Sequence, residues 1–146
     1  MIVFDPKNRQ TKARADMFLP NWLNGFGFFL DAIAVAFLIA AFVTQKWGLL
    51  VGFLIAGALG IAAFLCWKNQ IINIIDENTF EYSTFLGKKT RYRFSDIREL
   101  KANSDSYTLF VGDGKVHIES IVMISGELMN KIEAALERSP ENTFNE

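Results

Sequence analysis

Two long apolar segments occupy the first half of the chain. Within residues 22–67 the only charged side chains are those of Asp31 and Lys46. A helix that crosses a membrane needs roughly 20 apolar residues for a hydrocarbon layer of about 30 Å. A buried helical hairpin of a soluble protein would show a polar stripe, which neither segment has. The pattern therefore predicts a transmembrane helical hairpin, with helices over about 23–43 and 48–67.

Three tryptophans mark the ends of these segments, and basic residues indicate their orientation. Trp22, Trp47 and Trp67 stand where the helices would meet the water–lipid boundary, which indole side chains favour. Lys46 is the only basic residue of the turn, whereas Lys68 starts the second flank. The N-terminal segment, residues 1–21, carries four basic residues: Lys7, Arg9, Lys12 and Arg14. Because basic residues gather on the cytoplasmic side, we expect both chain ends in the cytoplasm, and the polar N-terminus predicts no cleavable signal peptide.

Small residues recur along both predicted helices at a step of four. They are Ala32, Ala36 and Ala40 in the first segment and Gly48, Gly52, Ala56 and Gly60 in the second. A step of four places residues on one helix face, and helices in lipid associate by close backbone approach over small side chains. We expect the two stripes to pack antiparallel, with Ala40 beside Gly52, Ala36 beside Ala56 and Ala32 beside Gly60. The alternative is that the glycine stripe mediates homo-dimerisation.

An acidic side chain interrupts the first apolar segment. Asp31 lies nine residues beyond Trp22, which at about 1.5 Å of rise per residue places it roughly 13 Å along the helix. An ionised group at that depth costs a few kcal/mol unless water or a partner reaches it. The functional interpretation is a polar contact with another membrane protein, or a proton-linked or ion-linked site. The plainer one is a carboxyl group that is protonated or reaches the cytoplasmic interface, and a lone acid favours this or a partner contact over transport.

After the second apolar segment the pattern changes to the alternation of β-strands. The segments QIINIID, TFEYSTFLG, KTRYRF, RELKANS, SYTLFVG, KVHIES and IVMI are short, rich in β-branched and aromatic residues, and separated by turn signals. Ser125 is placed to cap a closing helix over residues 126–138. This predicts six or seven antiparallel strands and one helix over residues 68–138, then a flexible tail over residues 139–146. The apolar stripe of that helix is Leu128, Ile132, Ala135 and Leu136.

The hydrophobic hairpin is followed by NQIINIIDENTFEYSTFLGKKTRYRFSDIRELK, then by YTLFVGDGKVHIES and a final helix. The most distinctive element is Phe94, Ser95, Asp96 and Ile97 after the third strand. In this order the segments resemble the bacterial membrane-anchored pleckstrin-homology-like (PH-like) proteins. The resemblance implies an α+β protein of the bacterial inner membrane, whose hairpin anchors a PH-type antiparallel β-barrel capped by the C-terminal helix. It implies no common catalytic activity.

The first hairpin of the predicted sheet departs from the lipid-binding pattern of many eukaryotic PH domains. Those domains bind phosphoinositides through basic residues around this hairpin. Here it consists of Asp76, Glu77 and Asn78, and two carboxylates would repel phosphates. We therefore do not expect phosphoinositide recognition in the familiar pocket.

Basic residues gather at the second hairpin instead. The chain carries a net charge of −1, but residues 88–101 hold six basic against two acidic residues. The first strand runs outward from the membrane and the second returns, so this hairpin should lie near the lipid surface, where a basic residue gains about 1 kcal/mol from anionic headgroups. The alternatives are an ordinary solvated strand face and a surface for an acidic protein partner. The candidate lipid-binding or partner-binding residues are Lys88, Lys89, Arg91 and Arg93.

The sequence carries no recognisable catalytic or metal-binding pattern. His117, the only histidine, alternates with apolar neighbours and is predicted to be an exposed strand residue. Cys66, the only cysteine, allows neither an intramolecular disulfide nor a cysteine zinc site. No phosphate loop or nucleophile elbow is present, and the charge is not basic over a whole domain, as nucleic-acid binding would require.

We therefore predict a non-catalytic protein without cofactor or metal. Its expected role is to bind a protein partner or anionic lipid headgroups at the cytoplasmic face of the membrane. One rival is a membrane-bound inhibitor or immunity-type protein with a single partner. The other is an accessory subunit of a channel or transporter that uses Asp31.

Overall fold

The computed structural model describes residues 15–139, which form two compact units. One unit consists of residues 20–69, and the other combines residues 15–19 with residues 70–139. Within this range the chain is α+β, with two apolar helices, antiparallel sheets and a C-terminal helix. Most of the predicted N-terminal segment (residues 1–14) and most of the predicted flexible tail (residues 140–146) lie outside the described residues.

The first unit is a hairpin of two long helices. Helix α1 spans Asn21–Thr44 and helix α2 spans Leu49–Asn69, so each end lies within two residues of its predicted position. Pro20 precedes α1 in an extended conformation, and Gln45 ends it with a left-handed φ of 54°. Both helices are long and apolar enough to cross a membrane.

The face of α1 that packs against α2 differs from the predicted alanine stripe. Gly27, Ala34 and Ala41 are buried, whereas Ala32 and Ala36 are exposed. A step of seven residues is close to two full helical turns and keeps residues on one seam between paired helices. A step of four residues advances by about 40° each time in a helix of 3.6 residues per turn, so the stripe that includes Ala40 drifts around α1.

On α2 the predicted stripe is partly correct. Ala56 and Gly60 are buried, but Gly52 lies against the ring of Phe37 rather than beside Ala40. Gly48 is exposed and precedes α2. The predicted pairing of alanine with glycine is therefore wrong in register, although the glycine face of α2 does contact α1.

The second unit contains two antiparallel sheets and a helix. One sheet has the strand order β4-β3-β2-β1-β8, and the other has the order β5-β6-β7. A short 3-10 helix, Phe94–Asp96, joins β4 to β5, and helix α3 spans Gly126–Arg138. The strands are β1 Met17–Phe18, β2 Ile71–Ile74, β3 Thr79–Ser83, β4 Lys89–Arg93, β5 Ile97–Ala102, β6 Ser106–Val111, β7 Gly114–Glu119 and β8 Met123–Ile124.

Strand β1 precedes the helical hairpin in the chain but belongs to the sheet that follows it. Met17 pairs with Ile72 of β2 on one side and with Ile124 of β8 on the other. Met17 and Leu19 are fully buried. The seven strands after the hairpin agree with the prediction, but β1 was not predicted, because two residues are too few to show an alternating pattern.

Both sheets and α3 contribute to one core. Its fully buried side chains include Phe80 and Ile72 from the larger sheet, Leu109 and Val116 from the smaller one, and Leu128 from α3. Helix α3 also buries Ile132 and Ala135. As predicted, Ser125 is its N-cap, since the Ser125 hydroxyl oxygen accepts a hydrogen bond from the Leu128 amide at 3.2 Å.

Asp16 joins the N-terminal strand to the rest of this unit. Its Oδ2 accepts a hydrogen bond from the Ile74 amide at 2.7 Å, and its Oδ1 accepts one from the Ser125 hydroxyl at 3.2 Å. Its backbone carbonyl accepts a third from the Ser125 amide at 2.7 Å. One residue ahead of β1 thus connects β2 with the cap of α3.

Candidate functional site

The turn between β3 and β4 presents two apolar side chains at its tip. The Gly87 amide donates to the Thr84 carbonyl at 2.7 Å, and the Thr84 amide donates to the Lys88 carbonyl at 2.9 Å. Gly87 has a φ of 80°, which a glycine adopts without steric cost. This four-residue turn places Phe85 and Leu86 at its two central positions, where Phe85 is 37% and Leu86 is 78% exposed.

The predicted basic residues follow this turn directly. Lys88 lies in the turn, and Lys89, Arg91 and Arg93 point to the exposed face of β4, because alternate residues of a strand share a face. Lys88 and Arg93 have no ion-pair partner among residues 15–139. The structure thus places all four candidates on one edge strand and its turn.

Glu81 on β3 partly neutralises this row. It is paired across the strands with Arg91, and its carboxylate lies 3.2 Å from the Lys89 ammonium and 3.5 Å from the Arg91 guanidinium. Surface ion pairs of this kind contribute little stability, but they set the charge of the face. The five side chains leave a surplus of three positive charges.

The Lys89 hydrogen bond is the main reason why the pKa of Glu81 lies below its ordinary value, and Arg91 adds to the effect. A carboxyl group whose pKa is lowered by folding stabilises the protein above its unfolded-state pKa of about 4.3, and this contribution is lost as the pH falls through the lower folded-state value. Glu81 therefore remains charged at neutral pH, and the surplus of three positive charges on this face applies at that pH.

The strand register places the β3–β4 turn beside the chain leading from the hairpin. Ile71, two residues after α2 ends at Asn69, pairs with Ser83, and Ser83 pairs with Lys89. Neighbouring strands lie about 4.8 Å apart, so the turn is about two strand spacings from the start of β2. β1 leads towards α1 at the same end, because Met17 pairs with Ile72 in antiparallel orientation.

The acidic first hairpin lies at the opposite end of the strands. Oδ1 of Asp76 accepts hydrogen bonds from the amides of Asn78 and Thr79, both at 2.8 Å, and Oδ2 accepts one from the Thr79 hydroxyl at 2.6 Å. These bonds, led by that from the Thr79 hydroxyl, lower the pKa of Asp76. The carboxylate closes its own turn, and Asp113 lies at this end too, since the Gly112 amide donates to the Asp96 carbonyl at 2.8 Å.

Asp31 lies on the face of α1 that meets α2. A Cβ atom added at Gly60 would overlap the Asp31 carboxylate and would come within 2.9 Å of the Gly27 carbonyl oxygen. Asn24, seven residues before Asp31, has a buried Oδ1 without a hydrogen-bond partner. At the same end of the hairpin the Trp67 indole donates to Asn21 Oδ1 at 3.2 Å. Asn21 and Asp31 thus contact α2, and Gly60 leaves the space that the Asp31 carboxylate occupies.

The other two tryptophans lie at the expected positions along the hairpin. Trp22 is the second residue of α1, and Trp47 lies in the turn between the helices; both are exposed. Trp67 lies two residues before the end of α2. By sequence position they mark both ends of the helical pair, as the prediction requires, and their interfacial role stays a prediction.

A cleft of about 730 Å³ lies between α3 and the 3-10 helix. Two of its three lining cations, Arg98 and Lys131, are engaged by the protein itself, which leaves Arg138. The Arg98 guanidinium donates to the Gly112 carbonyl and lies 3.6 Å from Asp113 Oδ1. The Lys131 ammonium donates to the Glu77 carbonyl at 3.1 Å. The cleft therefore shows no cluster of available cations that would favour an anionic ligand.

Residues that the sequence singled out for chemistry remain apart. His117 is exposed on β7, as predicted, with its Nε2 3.0 Å from Glu119 Oε1. Cys66 is partly exposed on α2. Within residues 15–139 no group of three His, Cys, Asp or Glu side chains could hold a metal ion.

Comparisons with family models, with curated proteins and with solved structures find no match for this chain. The sequence prediction also missed three of the features above: the exposed tip at Phe85 and Leu86, the connecting role of Asp16, and the inward-facing Asn24. Only the tip had a signal in the sequence, namely an apolar pair between Thr84 and Gly87, where a turn is normally polar.

Proposed function

We propose that this protein is a non-catalytic, membrane-anchored module whose β3–β4 corner binds anionic lipid headgroups. The observation that carries the proposal is the position of Lys88 and Lys89, next to an exposed apolar tip and at the end of the sheet that is joined to two apolar helices. The PH-like family, the bacterial inner membrane and the cytoplasmic location of both chain ends belong to this proposal.

The exposed surface of the helical hairpin supports a membrane location. Among the described residues, all but four of the exposed large apolar side chains belong to residues 20–69. In water such a surface would drive aggregation. In a bilayer the same side chains contact acyl chains, and the small residues between the helices allow them to pack.

The connection of the hairpin to the sheet supports an orientation with both chain ends on one side. β1 leads into α1 and α2 leads into β2, and the two strands pair with each other. This pairing favours a hairpin whose two ends reach the same face of a bilayer. The basic residues that flank the hairpin favour the cytoplasmic face.

The PH-like assignment is supported by the order of elements. Eight antiparallel strands in two sheets, seven of them after the hairpin, precede a C-terminal helix that buries Leu128, Ile132 and Ala135. The Phe94–Asp96 element, which carries most of the resemblance, forms the short helix between the sheets, and the Phe94 ring lies 4.9 Å from that of Phe80. A fold of this kind provides a rigid support for surface loops, and the function lies in those loops.

Lipid headgroups suit the basic corner better than a protein partner does. Lys88, which has no ion-pair partner among residues 15–139, and Lys89, which shares Glu81 with Arg91, lie at the end of the sheet from which the chain continues into the hairpin. A bilayer around the hairpin would therefore reach them first. Asp31 faces α2 rather than outward, which gives less support to a channel or transporter subunit that uses it. An inhibitor or immunity-type protein with a single partner is the remaining rival, and co-purification with a stoichiometric partner would favour it.

The proposal is tested with the full chain in lipid nanodiscs of neutral or partly anionic composition. Hydrogen exchange by mass spectrometry should show slower exchange over residues 84–93 in anionic discs, and high salt should remove the difference. Replacing Lys88, Lys89, Arg91 and Arg93 by Gln should remove it as well. The control, Lys101→Gln with Lys115→Gln, changes two exposed lysines on the other sheet and should have no effect. Equal exchange in both kinds of disc would refute headgroup binding.

A further inference from the structure

The exposed apolar side chains of the second unit are concentrated at one end of its larger sheet. Among the described residues of this unit, four large apolar side chains are exposed: Ile75 at 47%, Phe85 at 37%, Leu86 at 78% and Ile121 at 41%. Phe85 and Leu86 lie at the end where β1 and β2 connect to the helical hairpin. Ile75 follows β2 at the opposite end, next to Asp76.

Ile121 lies at the same end as the β3–β4 turn, but on the other side of β1. It stands two residues before β8, whose Met123 pairs with Phe18, the last residue of β1. Because β8 is antiparallel to β1, the chain before Met123 runs alongside the segment that leads from Phe18 towards α1. Three of the four exposed apolar side chains thus flank the two points where the chain enters and leaves the hairpin.

The strand order gives the separation of these two apolar points. The sheet runs β4-β3-β2-β1-β8, so the β3–β4 turn and Ile121 lie roughly three to four strand spacings apart, on the order of 15–20 Å. β1 and β2, which connect to the hairpin, lie between them. Both points therefore lie at the end of the sheet from which the chain continues into the hairpin.

We propose that Phe85 and Leu86 on one side, and Ile121 on the other, insert into the interfacial region of the bilayer. This two-point contact holds the sheet upright, with its strands roughly perpendicular to the membrane plane. The partner is a lipid surface, because the apolar points flank an anchor of two apolar helices and Lys88 and Lys89 stand beside one of them. This inference rests on the proposed function and adds to it the apolar contacts and the orientation of the domain.

The charges at this end of the sheet agree with a two-point contact in which only the β3–β4 corner is basic. Lys88 and Lys89 lie at the β3–β4 corner. Near the other point, the Asp105 backbone carbonyl accepts a hydrogen bond from the Ser120 amide at 3.1 Å. This bond places an acidic residue, not a basic one, next to the segment that contains Ile121. Anionic headgroups should therefore gather at the β3–β4 corner, whereas Ile121 makes an apolar contact that does not depend on lipid charge.

The test measures depth with nitroxide labels on the full chain in nanodiscs. Single cysteines replace Leu86, Ile121, Ile75 or Asp113 in a Cys66→Ala background, and the accessibility to oxygen is compared with that to a water-soluble nickel chelate. Labels at 86 and 121 should favour oxygen several-fold over labels at 75 and 113, in neutral as well as anionic discs. Labels at 86 and 121 that are as accessible to nickel as the label at 113 would overturn the proposal. So would a label at 121 that stays in water while the label at 86 enters lipid.

A second readout separates this inference from headgroup binding. Leu86→Ser and Ile121→Ser should each speed hydrogen exchange around the changed residue in neutral discs, whereas the control Ile75→Ser should not. If the anion-dependent protection of residues 84–93 persists while the labels at 86 and 121 are accessible to the nickel chelate, the two-point contact is wrong and headgroup binding stands. If the protection is missing as well, both proposals fail. The side chains of Ile75, Leu86, Asp113 and Ile121 are substantially exposed, and Cys66, which is partly exposed, is replaced by a smaller apolar residue, so the fold should tolerate the substitutions.

Discussion

Neutralising Lys88 and Lys89 together should weaken membrane docking far more than neutralising Arg91 and Arg93 together. The two pairs carry the same charge, but they lie at different distances from the end of the sheet that joins the hairpin. Lys89 pairs with Ser83, opposite Ile71 at the start of β2. Arg93 lies four residues further along β4, and at about 3.3 Å per residue this is roughly 13 Å from Lys89.

The expected magnitudes follow from this distance. A basic residue at an anionic surface gains about 1 kcal/mol, and the gain falls off within a Debye length. That length is about 8 Å at physiological ionic strength. Lys88 and Lys89 together should therefore contribute about 2 kcal/mol, or roughly thirtyfold in the docking equilibrium at 1.4 kcal/mol per tenfold. Arg91 and Arg93, about 7 and 13 Å further away, should together contribute roughly threefold by the same screening.

Hydrogen exchange in anionic nanodiscs measures both effects as changes in the protection of the β3–β4 turn. One variant combines Lys88→Gln with Lys89→Gln, and the other combines Arg91→Gln with Arg93→Gln. Both variants lose two positive charges, and only the position of the lost charges differs. Equal losses for the two variants would refute an upright sheet and favour one that lies flat on the lipid. No loss for either would refute electrostatic docking altogether.

The charge row, the sheet, the hairpin and the connection between hairpin and sheet each give one further prediction. Glu81→Gln should strengthen docking about twofold, because it removes the acidic side chain from the basic row; weaker docking in the exchange assay would contradict this. Asp16→Ala should lower the free energy of unfolding by about 1–3 kcal/mol, since partly buried donors of β2 and of the α3 cap lose their acceptor; an unchanged denaturation midpoint would show that β1 is dispensable. Gly60→Val should destabilise the helix pair by about 1–3 kcal/mol through overpacking, whereas Gly25→Val, which meets nothing within 4 Å, should not. Replacing residues 20–69 by a linker of about four residues should leave a folded, soluble domain, because neighbouring antiparallel strands need only a short connection; aggregation or loss of the sheet in NMR spectra would contradict this.

The features that the sequence predicted well depend on local patterns. Twenty or more apolar residues in succession identify each helix of the hairpin. The alternation in KTRYRF identifies the exposed row of β4, and a serine before a periodic segment identifies the cap of α3. Each of these signals is contained in a short window of the chain.

The features that it missed depend on pairing between distant residues. Strand β1 has two residues and acquires its conformation from Ile72 and Ile124, more than fifty and one hundred positions away. The seam of α1 depends on which residues of α2 it meets, and the composition of α1 alone allowed the alanine stripe as readily as the line through Gly27, Ala34 and Ala41. A period of small residues predicts that helices can approach closely, but it does not predict the register in which they do so.

The position of β1 also couples completion of the domain to formation of the hairpin. β1 is the first element of the described residues, but both of its partners, β2 and β8, come after the hairpin. Met17 and Leu19 can enter the core only when the two ends of the hairpin have come together, and the smaller sheet and α3 add to the sequence separation that must be closed. Such long-range pairing forms late and slowly. A bilayer that holds α1 and α2 as antiparallel spans would bring these ends together before the sheet closes, so the anchor would lower the entropic cost of completing the sheet as well as hold the domain at the lipid surface.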